Sequence, residues 1–153
     1  MTETQRMAMP PDPTRDSPDP AGTAPVLQAA YARAQFMVVK IPVVPDFDDL
    51  YHQREDTIDR ALRAKRLGSV LGWGASLGAP TPDGARPVAH TRVDIDVADI
   101  ETARAELQAT LAAIGAPAGT EIHYTLQGKD LADVYAPPDW RQARPVVRGR
   151  PAP

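Results

Sequence analysis

An α+β sandwich, built in the order strand–helix–strand–strand–helix–strand, is the fold this 153-residue sequence predicts. Three observations point to it. Proline crowds the ends: of 17 prolines, six lie in residues 1–25 and five in residues 137–153, so residues 34–127 form the segment able to bury a core. Within that segment, apolar residues alternate in four short stretches and recur every three or four residues in two longer ones. These are the periods of half-buried strands and of amphipathic helices. Aromatic residues make up 5% and cysteine is absent, so the core is aliphatic. Disulfides, thiol catalysis and cysteine-based metal sites are thereby excluded.

Residues 35–43 (QFMVVKIPV) read as the first strand, with Met37, Val39, Ile41 and Val43 on one face. Pro42 sits near its end, where a missing amide does little harm. Residues 47–67 read as a helix. Asp46 suits the N-cap, Asp48 and Asp49 fall in the first turn, and Arg60, Arg63, Lys65 and Arg66 crowd the last turns, so both ends complement the helix dipole. Gly68 suits the position just past its end. Residues 69–77 (SVLGWGASL) alternate at Leu71, Trp73, Ala75 and Leu77 and read as an edge strand. Pro82-Asp83-Gly84 is a turn, because proline presets φ and glycine accepts a positive one.

Residues 87–97 (PVAHTRVDIDV) alternate clearly, with Ala89, Thr91, Val93, Ile95 and Val97 opposed to His90, Arg92, Asp94 and Asp96. Residues 99–114 form the second helix, from Ile100, Ala103, Leu107, Leu111 and Ile114; Asp99 caps it and Gly115 stops it. Residues 120–126 give the last strand, with Ile122, Tyr124 and Leu126 inward. This order is the split βαβ, ferredoxin-like arrangement. Right-handed crossovers then give a four-stranded antiparallel sheet of order 4-1-3-2 with both helices on one face.

The ends lie outside that domain. Residues 1–33 read as a Pro-rich flexible segment in which no secretory signal is expected, and residues 128–153 as a disordered or extended Pro/Arg-rich tail. The tail carries Arg141, Arg144, Arg148 and Arg150 against Asp139, whereas residues 26–136 hold 11 basic and 15 acidic residues. Trp140 does not suit a purely solvated tail and reads as a docking residue. No stretch is long and apolar enough to span a membrane. The expected location is cytoplasmic, and the net charge of −3 argues against a general nucleic-acid binder.

Residues 48–120 carry an acidic first helix (DDLYHQREDTIDRAL), a Gly-rich second strand ending in Ser76-Leu77-Gly78, a DIDV third strand, and a second helix followed by GAPAGT. In these features the chain resembles a group of small, uncharacterised bacterial ferredoxin-like proteins that includes immunity and accessory types. The resemblance covers about half of the chain. It implies the fold and, as function, recognition of another protein.

Polar groups converge on the sheet face that the helices leave bare. That face presents Phe36, Val38 and Lys40, then His90, Arg92, Asp94 and Asp96, then Glu121, His123 and Thr125. A metal site would need His90 and His123 to lean across an intervening strand, about 9–10 Å, so no metal and no cofactor is expected. Acid–base catalysis is open through His90 or His123 with Asp94 or Asp96 as orienter, but no nucleophile accompanies them. The GWGASLG run lacks both the Walker lysine and a following helix, which disfavours phosphate binding. RNA binding would want stacking aromatics where the third strand shows His90, Arg92 and Asp94.

The expectation is therefore a non-enzymatic protein-binding module of immunity or accessory type. Its partner face comprises Phe36, Val38, Lys40, Trp73, His90, Arg92, Asp94 and His123. An acidic helix face of Asp48, Asp49, Glu55, Asp56 and Asp59 suits a basic toxin. The alternative is a small enzyme or ligand-binding domain around His90 and His123. Self-association through the bare face or an edge strand is a further expectation.

Overall fold

The structure is a computed structural model that describes residues 35–45 and 52–147. It contains β1 (Gln35–Pro42), α1 (Gln53–Ala64), β2 (Gly68–Leu77), β3 (Val88–Val97), α2 (Ile100–Ala113), β4 (Glu121–Leu126), β5 (Lys129–Ala136) and β6 (Asp139–Pro145). The strands form one six-stranded sheet of order β2-β3-β1-β4-β5-β6, and every neighbouring pair is antiparallel. Two helices cover one face.

The core follows from the alternation. Met37, Val39 and Ile41 of β1, Val93, Ile95 and Val97 of β3, and Ile122 and Tyr124 of β4 point to one side. There they meet Ile58 and Leu62 of α1 and Ile100, Ala103, Leu107 and Leu111 of α2 in a single buried cluster. Each fully buried aliphatic side chain contributes roughly 1.5–3 kcal/mol relative to exposure. Asp99 caps α2 by accepting from the Thr102 amide at 2.8 Å. The helix closes with Gly115 at φ 69°, where the Ala116 amide reaches Leu111 O and the Gly115 amide reaches Ala112 O. That is the two-bond stop for which a left-handed glycine is suited.

Three expectations are corrected. First, a four-stranded sheet ending at β4 is replaced by six strands, because residues 129–145 pair onto the edge of β4 instead of forming a loose tail. The β4–β5 hairpin turns on Gln127 and Gly128, both at positive φ (51° and 73°), which suits a tight two-residue connection. Second, α1 starts at Gln53 with His52 as N-cap, and the expected cap Asp46, with Asp48 and Asp49, lies outside the described residues. Third, Gly68 does not end α1. Arg66 takes the left-handed position at φ 55°, with Leu67 N bonded to Leu62 O and Arg66 N to Arg63 O. Gly68 is needed for a different reason: a Cβ there would lie 2.0 Å from the Asp96 carbonyl oxygen.

Candidate functional site

Directly opposed residues of an antiparallel pair share a face, so the register fixes what the bare side of the sheet displays. Val38 of β1 lies opposite Asp94 on one side and His123 on the other; His123 is opposite Ala132, and Ala132 opposite Arg144. One row along, Lys40 lies between Arg92 and Glu121; Glu121 faces Val134, and Val134 faces Arg141. Phe36 sits opposite Asp96 at the start of β1 and is 66% exposed although its strand is internal. Phe36, Val38, Lys40, His90, Arg92, Asp94 and His123 thus share the bare face, joined by Ala132, Val134, Arg141 and Arg144 from the strands that sequence reading placed in a tail.

Four carboxylates of this face are engaged within it. Asp94 accepts from Arg92 Nε at 2.8 Å, and Asp96 from Ser69 Oγ at 2.7 Å. Glu121 contacts His123 Nε2, and Asp130 accepts from Thr125 Oγ1 at 2.8 Å. Lys40, Arg141 and Arg144 form no ion pair among the described residues. Asp139, opposite Ala136, shares the face and likewise forms no ion pair among the described residues, so the charge left to meet a visitor is three cations against one carboxylate, set around Phe36, Val38 and Val134. A shallow depression of about 220 Å³ adjoins Phe36, lined also by Val38, His123, Thr125, Asp130 and Val146.

Two parts of the expected site do not join this surface. Trp73 lies opposite Val93, on the helix side of the sheet, because a bulge at Leu71 separates the Val70–Ile95 pair from the Gly72–Asp94 pair. Its ring stacks on His52 with centroids 3.8 Å apart. Nothing in the local sequence pattern around His52 signals the stack. Of the acidic helix face, Asp48 and Asp49 lie outside the described residues, and two of the other three are engaged within the molecule. Glu55 is 4% exposed, with Oε2 lacking a hydrogen-bond partner among the described residues and His52 Nδ1 3.9 Å away. Asp59 is committed to the Val70 amide (2.9 Å) and to Arg63 (2.7 Å). Burial raises its pKa, but those two partners outweigh it and hold the carboxyl below its ordinary value. Asp56 alone remains exposed among those that are described.

His90 and His123 are also kept apart. His90 lies opposite Pro42 and His123 opposite Val38, four residues along the same strand. At about 3.3 Å per residue that is about 13 Å, in addition to the two strand spacings between them. Neither a metal site nor a shared acid–base pair is assembled from them.

On the helix side the extra strands carry a polar cluster of their own. Asp133 of β5 is fully buried and accepts from Arg104 Nε (2.8 Å) and Nη2 (2.9 Å), Gln108 Nε2 (2.8 Å), Tyr124 OH (2.9 Å) and the Ala143 amide (2.8 Å). Burial pushes its pKa up; the Arg104 bonds, the Ala143 amide and the Tyr124 hydroxyl more than offset that and leave the carboxyl below its ordinary range. Tyr124 is pushed up to about 12, by burial first and then by donating to Asp133. Arg104 also lies over the Tyr124 ring, 4.3 Å from its centre. Every oxygen of Asp133 is satisfied from within, so the cluster fastens β5 and β6 to α2 and presents nothing for chemistry.

No family model, no curated protein and no solved structure matches the chain. The resemblance read from residues 48–120 therefore adds nothing to the geometry.

Proposed function

We propose that the chain is a non-enzymatic protein-binding module whose contact surface is the helix-free face of the sheet. The observation that carries this is Phe36, two-thirds exposed on an internal strand and ringed by polar groups. An apolar aromatic anchor inside a polar rim is the anatomy of a protein interface. The immunity or accessory role stays within this reading. A basic toxin loses its support, since Glu55 and Asp59 are spent inside the molecule; the unpaired Lys40, Arg141 and Arg144 suit an acidic partner surface instead. Nucleic acid is disfavoured because Phe36 is the one exposed aromatic that the described residues place on this face, where single-stranded bases need several stacking partners. The ferredoxin-like reading of the fold is supported by the β4-β1-β3-β2 stretch of the sheet, with β5 and β6 added beyond β4.

The competing ligand-binding reading has one observation in its favour, the depression beside Phe36 and His123. At about 220 Å³ it falls below the ~300–1,000 Å³ of small-molecule sites. The test is capture from an extract of the source organism on immobilised protein. Wild type and Asp56→Lys should retain the same partner, and Phe36→Asp should lose it while keeping its far-UV spectrum. A partner still held by folded Phe36→Asp removes the face from the account.

A further inference from the structure

We propose that β2 is a self-association edge: two copies of this chain pair their β2 strands antiparallel about a two-fold axis at Ala75. This surface is separate from the bare face described above. The strand ends the sheet and reads GSVLGWGASL, ten residues with no charge and no proline. Edge strands that stay single are blunted by charges, proline, bulges or a cover. Here the blunting is confined to the first half, where Leu71 bulges and Asp59 takes the Val70 amide. Residues 72–77 carry no charge, no proline and no side-chain cover among the described residues, and the second irregularity, between Ser76 and Leu77, has its extra residue, Ala89, in β3 and not in the edge strand. Four of the seven exposed large apolar side chains among the described residues gather in the same region: Leu71, Trp73 and Leu77 of β2 and Val88 of β3, each about half exposed.

What fits this edge best is its own copy, because the sequence around Ala75 is self-complementary. With Ala75 opposite its symmetry mate, Trp73 meets Leu77 of the second copy and Leu77 meets its Trp73, all on one face by strand alternation. On the reverse face Gly74 meets Ser76. Large side chains flank the axis, small ones occupy it, and two-fold symmetry brings no like charges together, since residues 72–77 contain none. The same patch serves both partners, as a two-fold interface requires. His52, stacked on the Trp73 ring at an interplanar angle of 23°, holds that ring in place before contact and so lowers the ordering cost of docking.

The experiment is the solution mass of the full chain by sedimentation. Wild type should give twice the 16.5 kDa chain mass. Ala75 is exposed, so Ala75→Lys and Ala75→Glu leave the core untouched. Each places two like charges against one another at the axis and should weaken self-association about tenfold or more. Mixed one to one, the two variants should recover the double mass. Hydrogen exchange of the wild type supplies a measurement that needs no variant: amides of residues 72–77 should gain protection as protein concentration rises. A wild-type monomer with concentration-independent exchange overturns the proposal, as does an Ala75→Lys chain that still dimerises. A monomer whose β2 amides are protected only by an added peptide strand overturns it too, in favour of a different occupant.

Discussion

Replacing Asp133 by asparagine removes one charge and almost no volume, which isolates what the buried carboxylate does. The side chain accepts five hydrogen bonds, two of them from Arg104, which is itself only 12% exposed. Asparagine offers one acceptor oxygen and turns an NH₂ group towards donors. Arg104 is then left with its charge uncompensated beneath the sheet. Removing one member of a buried pair costs about 3–5 kcal/mol. For a domain of this size each kcal/mol moves the melting temperature by about 4 °C, so a drop of about 12–20 °C is expected by far-UV circular dichroism.

The pH dependence gives a second readout. Because the folded carboxyl titrates below its unfolded value, its stabilisation is fully present above about pH 4 and is lost as pH falls towards the folded pKa. Wild-type stability should therefore fall in acid more steeply than that of Asp133→Asn. A double-mutant cycle with Arg104→Ala should give a coupling of about 1 kcal/mol or more. A loss below about 1 kcal/mol for Asp133→Asn, with an unchanged acid slope, would refute the view that this cluster fastens the last two strands.

Two further predictions concern the backbone. Arg66→Gly relieves a left-handed non-glycine residue at the end of α1 and should stabilise by about 1 kcal/mol, read as a higher urea midpoint at constant slope. Gly68→Ala drives a methyl group into the Asp96 carbonyl and forces β2 away from β3; a loss of at least about 1–3 kcal/mol is expected, again by urea denaturation.

The elements that the sequence made legible are those whose inward positions are uniformly apolar. Met37, Val39 and Ile41 announce β1, and Ile100, Ala103, Leu107 and Leu111 announce α2, because period and hydrophobicity agree there. β5 was illegible for the opposite reason: its inward row is Leu131, Asp133 and Tyr135, and the aspartate breaks the alternation that signals a half-buried strand. It belongs there only because Arg104 and Gln108 arrive from α2 to meet it, a long-range fact that no local window contains. β6 reads as polar coil, since Trp140 alone among its residues is large and apolar. A local clue did exist in Gln127-Gly128, a two-residue connection ending in glycine between two short runs. For the candidate site, alternation found the bare face of β1, β3 and β4 but misplaced Trp73, since the bulge at Leu71 is set by pairing with β3 and not by β2 itself. The acidic helix misled because a carboxylate on a helix looks the same in sequence whether it meets solvent, as Asp56 does, or an amide of the next strand, as Asp59 does.

The two rims of the sheet differ in a way that bears on how many molecules can join. The far rim, β6, carries Asp139, Arg141 and Arg144, is kinked at Ala143 (φ 51°) and runs out at Pro145. Were both rims receptive, each newcomer would expose a fresh template and growth would run on into a fibre. With only one receptive rim, a pair uses up all that is available, and assembly halts at two.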